Sequence, residues 1–319
     1  MHLTINEIKR LPQGELINGL FAMSRFEARS SERAGRFGLL TLSDITGSIP
    51  AKIWSLTPAQ EALLRSGRYL KLGGSINLYN NETQIIINEL ASPGEQELRQ
   101  GLRRLVPHVD GDIEDMYNAV LSAIDSISHA ALRRTVELLI KDDYEISRRF
   151  QSHPGALSYH HAAVGGLLQH TYEVLTYALD FCQRDTSLNQ DMMVALASLH
   201  DIGKIQEIEA DGYGLPVGFT KEGKLLGHIC LGLKLVAAAG TKAGLDPETA
   251  LILEHGIYSH HGAPEWGSPV LPKTKEAQLI HYLDNISAKN DQFAAAARQV
   301  ESGSFSAYDR GLQREIYKP

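Results

Sequence analysis

The period of the hydrophobic pattern changes once along the chain, close to Ser92. Before that point, short apolar runs alternate with polar residues between turn signals, which is typical of β-strands. In the run 48–54, for example, Ile49, Ala51 and Ile53 would face one way and Lys52 the other. Such runs predict strands over 16–26, 38–45, 48–54, 69–79 and 83–90, with a short helix over 58–65. This is the element order of a small OB-type barrel.

After residue 92 the apolar residues recur at helical spacing. Helices are predicted over 164–183, 190–202, 224–239, 247–259 and 274–291, with further helices around Met116 and Val136. The predicted fold class is therefore multidomain, with a small all-β barrel followed by an all-α helical bundle. We expect the barrel domain over 1–92, a linker over 93–111 and the helical domain over 112–319. The Gly-rich stretch 209–223 is expected to be a loop, long enough to act as the rim or lid of a site, with a plain surface loop as the alternative.

The composition excludes several classes of protein. The 319 residues are 43% hydrophobic and 22% charged, as in ordinary globular domains. No apolar run suggests a membrane span, and the first residues show no basic and apolar leader, so we expect no membrane association. The only cysteines, Cys182 and Cys230, form no CxxC pair, which argues against a disulfide scaffold and a thiolate zinc site. A reducing, cytoplasmic location is expected.

Charge and histidine are both unevenly distributed. Residues 1–92 hold 10 basic and 8 acidic residues, whereas residues 93–319 hold 21 and 30, and the whole chain carries −7. The acidic second part weighs against a broad duplex-binding surface. Ten of the 13 histidines lie between His153 and His281. Because histidine is the commonest metal ligand, this cluster points to a metal site.

The candidate ligands are spread over several predicted helices. The doublet His200-Asp201 ends an apolar helix, and neither residue belongs in a helical core without a partner. The others are His170 upstream and, downstream, His228, His260, His261 and Asp284. Imidazoles and carboxylates without a thiolate suit Mn²⁺, Fe²⁺, Co²⁺, Ni²⁺ or Zn²⁺. Two ions bridged by Asp201 would use the whole set, and such a pair is a known clamp for phosphodiester cleavage.

Several longer motifs accompany these ligands. In the helical part they are HHAAVGGLLQHT (160–171), LHDIGK (199–204), EGKLLGHI (222–229), SHHG (259–262), EWGSP (265–269) and IHYLDN (280–285). The barrel part holds DITGSIPAKIW (44–54). The pattern resembles the HD phosphohydrolase superfamily, an all-α fold, and more closely the YhaM family of 3′–5′ exoribonucleases, in which an OB domain precedes an HD domain.

The resemblance implies roles for individual residues. One metal site would consist of His170, His200, Asp201 and Asp284, and a second of His228, His260 and His261 with Asp201 bridging. Which of His260 and His261 coordinates stays open. Lys204 would direct its charge at a phosphate oxygen, the alternative being an exposed lysine at a helix end. His161 would contact substrate or transfer a proton, or make a structural hydrogen bond. His255 and His281 would support the ligands or simply pack.

The barrel suggests a polymeric substrate, because such barrels bind single strands through aromatic stacking and a basic groove. The candidates on its outer face are Phe21, Arg25, Arg36, Phe37, Lys52, Trp54 and Tyr79, with packing in the core as the alternative for any one aromatic. Lys52 and Trp54 share a strand face and form the strongest pair. Arg25, Arg36 and Phe37 complete the set expected to bind nucleic acid.

The sequence thus predicts a metal-dependent 3′–5′ exonuclease that hydrolyses single-stranded RNA, and single-stranded DNA as well, to 5′-mononucleotides. Its catalytic residues would be Asp201, Lys204 and His161, with two divalent ions per chain, Mn²⁺ before the others. Polarity and product follow from the resemblance alone. The alternatives are an HD hydrolase of a small nucleotide or second messenger, and a non-catalytic single-strand binding protein. Homo-oligomerisation stays open.

Overall fold

The structure is a computed structural model. It describes residues 3–32, 35–80, 82–109, 111–157, 163–298 and 300–319, with the side chain of Arg99 set aside. The chain divides into two compact units, Met1–Pro107 and His108–Pro319.

The first unit is a closed barrel whose strands run in the order β1-β2-β3-β5-β4. Strands β3 and β5 pair in parallel, and the other neighbours pair antiparallel. The predicted OB-type barrel is therefore confirmed. Its elements are α1 Ile5–Ile8, β1 Leu16–Ser31, β2 Gly35–Asp44, β3 Gly47–Ile53, α2 Pro58–Ser66, β4 Tyr69–Tyr79, β5 Glu82–Ala91 and α3 Glu95–Leu105.

The alternation of β3 sorts its side chains as the sequence predicts. Ile49, Ala51 and Ile53 are buried in the barrel core, and Lys52 lies on the opposite face. The expectation that Phe21 lies on the outer face is wrong, because this residue is only 3% exposed and packs in the same core. Because β1 carries apolar residues on both faces, its sequence shows no alternation that would place Phe21 in the core.

Helix α3 lies within the stretch expected to be a linker. Its Leu98 and Leu105 are buried, and the Arg104 carbonyl accepts a hydrogen bond from the Ile45 backbone N–H at 3.0 Å. The apolar spacing of its leucines is that of an amphipathic helix. Residues 95–105 therefore belong structurally to the barrel unit.

The second unit is a helical bundle, as predicted. Two short antiparallel strand pairs, β6–β7 and β8–β9, accompany the helices. The elements are α4 Ile113–Asp125, α5 Ala130–Glu137, a π-helical turn Leu138–Asp142, α6 Tyr144–Ser152, α7 Gly166–Arg184, α8 Gln190–Leu199, α9 Lys204–Glu207, β6 Ile208–Ala210, β7 Pro216–Phe219, α10 Lys221–Ala243, α11 Pro247–Ser259, a 3₁₀ turn Pro264–Trp266, α12 Lys275–Arg298, β8 Ser304–Phe305 and β9 Tyr317–Lys318.

Helix α8 is the central element of the bundle. Every residue from Met192 to Leu199 is buried, and the helix packs against α5, α7, α11 and α12. Asn189 caps its first turn by accepting a hydrogen bond from the Met192 backbone N–H. The helix therefore delivers the residues at its C-terminal end to the middle of the bundle.

The stretch expected to be a loop over 209–223 is more ordered than the sequence indicates. Strands β6 and β7 form a hairpin, and α10 already begins at Lys221. The carboxylate of Asp211 ties the hairpin turn by accepting from the backbone N–H groups of Tyr213 and Leu215. Side chain-to-backbone bonds of this kind favour turns and are not visible as periodicity.

Among the described residues, α10 is the one helix that is long and apolar enough, by length and composition, to cross a membrane. Its backbone leaves the helical conformation at Gly227, with φ +69° and ψ 161°. The helix also packs against α5, α9 and α11. It is therefore built into the bundle.

Candidate metal centre

The structure brings together the seven residues predicted as metal ligands. They come from five segments of the helical unit, each ligand being placed by its own helix or helix end. His170 lies in α7, His200 and Asp201 follow α8, His228 lies in α10 after its break, His260 and His261 follow α11, and Asp284 lies in α12.

The side chains form two groups. In the first group, His170, His200 and Asp284 offer ligand atoms that all lie within 4.8 Å of one another. The His170 Nε2 atom is 3.1 Å from His200 Nε2 and 3.2 Å from Asp284 Oδ1. In the second group, the ligand atoms of His228, His260 and His261 also lie within 4.8 Å of one another. Both groups have the composition of a transition-metal site.

Asp201 lies between the two groups and turns one oxygen toward each. Its Oδ2 atom is 3.4 Å from His170 Nε2 and 3.6 Å from His200 Nε2. Its Oδ1 atom is 3.6 Å from His228 Nε2 and 3.7 Å from His260 Nε2. A single carboxylate is thus placed to bridge two cations.

Backbone carbonyls fix the orientation of three imidazoles. The Nδ1 atoms of His200 and His260 lie 3.0 Å from the Ala197 oxygen and 2.7 Å from the Ile257 oxygen. His261 Nδ1 likewise lies 2.9 Å from the Trp266 oxygen. A carbonyl only accepts hydrogen bonds, so each Nδ1 carries the proton and each Nε2 presents its lone pair.

A hydroxyl group and a carboxylate orient the other two imidazoles. His170 Nδ1 lies 3.0 Å from the Ser287 hydroxyl, which itself donates to Glu173 at 2.6 Å. The hydroxyl oxygen therefore accepts from His170. His228 Nδ1 donates to Glu207 Oε1 at 3.2 Å. Four of these rings place Nε2 between 3.4 and 3.7 Å from an oxygen of Asp201, and a hydrogen bond at Nδ1 is the usual support of metal-ligating histidines.

This arrangement fits a bound cation. Facing lone pairs on His170 and His200 at 3.1 Å repel each other unless a positive charge lies against both. The buried Nε2 atoms of His228 and His260 have no hydrogen-bond partner among the described residues. Buried polar atoms of this kind cost free energy unless they are satisfied, and a metal ion would satisfy them.

The protonation states of the candidate ligands are also those that a bound cation needs. Burial lowers the pKa of His200, His260 and His261, which keeps these rings neutral. Burial alone would raise the pKa of Asp201, but the charge of Lys204 and the surrounding imidazoles hold it well below its usual value. Burial would likewise raise the pKa of Asp284, but the adjoining imidazole of His170, 3.2 Å away, keeps it lowered.

Lys204 opens α9 and lies against the bridging carboxylate. Its Nζ atom is 2.6 Å from Asp201 Oδ2, and its side chain is largely buried. The alternative of an exposed lysine at a helix end is therefore wrong. Burial would lower the pKa of Lys204, but Asp201 raises it, so the ammonium stays charged.

A cavity of about 430 Å³ opens over this centre. Its polar lining includes Asp201, Lys204, Glu207, His228 and Asp284. Further lining residues are His261, Phe219, Trp266, His281, Asn285, Lys289 and Gln292. The volume suits a ligand of the size of one nucleotide, since sites for drug-sized molecules measure about 300–1,000 Å³.

The sequence predicts roles for three further histidines. His161 lies outside the described residues, in the gap 158–162. His255 accepts a hydrogen bond from the Lys273 backbone N–H at 2.8 Å and lies away from the cavity lining. His281 donates through Nδ1 to the His260 carbonyl at 3.0 Å and so contacts the backbone of a candidate ligand.

The barrel residues predicted to bind nucleic acid form a local cluster. Lys52 Nζ lies 3.4 Å from the ring centroid of Trp54 and 4.6 Å from that of Phe37. The two rings are 5.6 Å apart, because pairing of β2 with β3 brings Phe37 alongside. Burial lowers the pKa of Lys52. Trp54 is 44% exposed and is available to a base.

The two predicted arginines are engaged elsewhere. Arg36 binds Glu61 through two nitrogens at 2.7 and 2.8 Å, and Arg25 lies 3.5 Å from Glu27. Both arginine side chains are more than half exposed. A phosphate would have to compete with these carboxylates, most of all at Arg36.

Sequence reasoning missed the residues that orient the ligands. Glu207 stands three residues after Lys204, and Glu173 three residues after His170, so helical spacing offered a signal for both. Arg149 donates to the Ile205 carbonyl, and His153 lies 3.1 Å from the Lys204 carbonyl. These long-range bonds to backbone carbonyls leave no pattern in the sequence.

Comparison with known proteins identifies the family of the chain. The HD domain family matches residues 167–289. The chain is 33% identical over 286 residues to the 3′-5′ exoribonuclease YhaM of Geobacillus sp. (strain WCH70), covering 89% of this chain and 86% of the relative. It is 31% identical over 284 residues to the 3′-5′ exoribonuclease YhaM of Bacillus subtilis (strain 168), covering 89% and 88%.

Among solved structures, the second OB-fold domain of replication protein A from Methanococcus maripaludis matches 28% of this chain and 93% of its own length, at 21% identity and a TM-score of 0.21. The relatives confirm the resemblance of the chain to the YhaM family. With about a third of the residues identical over nearly nine tenths of both chains, this phosphodiester hydrolase belongs to the YhaM family of 3′-5′ exoribonucleases.

Proposed function

We propose that this chain is a metal-dependent exonuclease that shortens single-stranded RNA, and single-stranded DNA, from the 3′ end and releases 5′-mononucleotides. One observation carries the proposal. Asp201 turns one oxygen to each of two histidine groups, on the floor of a cavity of about 430 Å³. The polarity is that named for the relatives.

The residues present would hold two divalent cations, Mn²⁺ being the first candidate. His170, His200 and Asp284 would hold one ion, His228, His260 and His261 the other, and Asp201 both. When bound, such a pair supplies Lewis acidity to a phosphate and lowers the pKa of a coordinated water. The absence of thiolates favours Mn²⁺ or Fe²⁺ over a structural zinc site.

The chain's own residues perform the remaining tasks. Asp201 stays anionic because its pKa is held low, and it keeps the two groups at a fixed separation. Lys204 contributes a buried positive charge to the cavity lining, where it attracts a phosphate and offsets charge that develops on it. Glu207, and Glu173 through Ser287, hold the imidazoles of His228 and His170 in the tautomer protonated at Nδ1.

Two observations support a single-stranded substrate. The cavity has room for about one nucleotide, whereas a duplex end presents two paired strands. On the barrel, Lys52, Trp54 and Phe37 combine a cation with two aromatic rings, which is the chemistry that binds unpaired bases and their backbone.

The test uses a single-stranded RNA labelled at its 5′ end, the purified protein and added Mn²⁺. We expect a ladder that shortens from the 3′ end and 5′-mononucleotides as the released product. Asp201→Asn should abolish the ladder, and Asp180→Asn, which changes an exposed aspartate on α7, should leave it intact. An intact RNA strand with the wild-type protein would contradict the proposal and turn attention to small nucleotides. A DNA strand of the same sequence tests the sugar preference.

A further inference from the structure

An exposed tryptophan stands at the rim of the cavity. Trp266 belongs to the motif EWGSP (265–269), to which the proposed chemistry assigns no role. Its side chain is 60% exposed, although tryptophan is highly buried on average. It lines the same cavity as Asp201 and Asp284. A large apolar surface in this position needs a reason that packing does not supply.

The backbone around Trp266 is tightly held. The Trp266 N–H donates to the Ala263 carbonyl at 3.0 Å, and the Ser268 N–H donates to the same oxygen at 3.1 Å. Gly267 closes the turn with φ +90°, a conformation that side chain-bearing residues avoid. The indole is therefore presented on a fixed support.

One ring supports the indole from inside the protein. The His281 imidazole stacks against Trp266 with centroids 5.5 Å apart and planes 29° apart. His281 is only 6% exposed, and its Nδ1 is tied to the His260 carbonyl. The indole thus rests on a buried ring, and the exposed remainder of its surface faces solvent and the cavity.

The same turn is joined directly to the metal centre. The Trp266 carbonyl accepts the hydrogen bond of His261 Nδ1 at 2.9 Å. Only the backbone of Trp266 and one hydrogen bond therefore connect the indole to the candidate ligand His261. A phosphodiester at the metal centre would bring the nucleosides that it joins to the cavity whose rim this ring forms.

We infer that Trp266 is the platform on which the base of the 3′-terminal nucleotide stacks while its phosphodiester lies at the metal centre. The inference rests on the proposed exonuclease function. Stacking on an aromatic ring accepts every base, because every base has a π-face. The platform would therefore position the 3′ end without imposing a sequence preference.

The test compares two single-stranded RNAs that are labelled at the 5′ end and identical except at the 3′-terminal residue. One ends in adenosine, and the other ends in an abasic ribose. Removal of the terminal residue is measured in Mn²⁺ at RNA concentrations below saturation. For the wild-type protein we expect the abasic end to be removed about 5- to 150-fold more slowly, which is the value of one base stacked on an aromatic ring.

Variants assign this difference to the tryptophan. Trp266→Ala should slow removal of adenosine and bring the ratio of the two rates close to one, whereas Trp266→Phe should keep most of the ratio. Trp54→Ala, which removes the other tryptophan of the chain, should weaken the binding of both RNAs equally and leave the ratio of the two removal rates unchanged. Bound manganese should be equal in wild type and Trp266→Ala, because the Trp266 carbonyl that holds His261 is retained.

The outcomes separate the two proposals. A wild-type protein that degrades neither RNA contradicts the proposed function. A wild-type protein that removes both ends at one rate, or a Trp266→Ala variant that keeps the wild-type ratio, contradicts the platform while leaving the exonuclease in place. Loss of bound manganese in Trp266→Ala together with equal slowing of both RNAs would reveal a purely structural role.

Discussion

Glu207 holds His228 by two of its groups at once, accepting from the backbone N–H at 3.0 Å and from the ring Nδ1 at 3.2 Å through the same oxygen, Oε1. The backbone N–H is available because Gly227 interrupts α10 with φ +69°. Burial would raise the pKa of Glu207, but its hydrogen bonds with His228 keep it lowered. The carboxylate therefore fixes both the position and the tautomer of His228.

Glu207→Gln should weaken metal binding at the second group only. Partners of this kind typically contribute about 10- to 100-fold to metal affinity. Calorimetric titration of the metal-free protein with Mn²⁺ should show one site unchanged and one weakened by that factor. Glu209→Gln, an exposed neighbour on β6, is the matched control. Two sites of wild-type affinity in Glu207→Gln would show that Glu207 does not contribute to metal binding.

Gly203 in the motif LHDIGK allows α9 to lie against α10. A Cβ atom at Gly203 would stand 2.0 Å from the His228 carbonyl and 2.5 Å from the Gly232 nitrogen. Gly203→Ala should therefore push α10 away, destabilise the fold by about 1–3 kcal/mol and weaken the second metal site. Urea unfolding and Mn²⁺ titration measure both effects. Gly218→Ala, whose Cβ would meet no atom within 4 Å, should change neither.

His153 should make the stability depend on pH. Burial, followed by the charge of Arg149, lowers its pKa from 6.5 to about 4. As the pH falls, the unfolded chain therefore binds a proton at a higher pH than the folded chain does. The contribution of His153 to the free energy of unfolding is complete above pH 6.5 and is lost as the pH falls toward 4. Its total size is of the order of 3 kcal/mol.

His153→Gln keeps an N–H donor near the Lys204 carbonyl but cannot titrate. Urea unfolding at several pH values should show a shallower loss of stability for the variant between pH 6.5 and 4. Comparison of the two proteins cancels the titration of the other groups. Parallel curves for wild type and variant would show that His153 does not carry this dependence.

The barrel cluster should bind RNA through Trp54 and Lys52 and not through Arg36. Trp54→Ala should weaken binding of a single-stranded RNA by about 1–3 kcal/mol, the value of one stacked base. Arg36→Ala should have little effect, because its guanidinium is already bound to Glu61 at 2.7 and 2.8 Å. Fluorescence anisotropy with labelled RNA at fixed salt checks both. A larger loss in Arg36→Ala than in Trp54→Ala would reverse this assignment.

Much of the fold could be predicted because local pattern and tertiary structure agree. The alternation of Ile49, Ala51 and Ile53 is the burial pattern that β3 shows. The apolar run before His200 is the buried α8. The prediction for Phe21 is wrong because a residue in a long strand can face the core without a clean alternation around it. The place of α3 in the barrel unit could not be predicted, because a short polar helix is recognised only by the surface that covers its leucines.

The ligands of the candidate site could be predicted from the sequence, but the groups that orient these ligands could not. Histidines and aspartates on separate helices are recognisable as a set because few other roles need them together. The partners of their Nδ1 atoms are mostly backbone carbonyls, such as those of Ala197 and Ile257, which every residue carries. Trp266 could be read as part of a motif, but its exposure at the cavity becomes visible only in three dimensions.

Manganese binding tests most directly whether Asp201 joins two cation sites. We predict that electron paramagnetic resonance during Mn²⁺ titration will show two ions per chain that are magnetically coupled through the shared carboxylate. In Asp201→Asn the coupling should disappear and at least one ion should bind more weakly. A single ion in the wild-type protein, or two ions without coupling, would contradict a bridged pair.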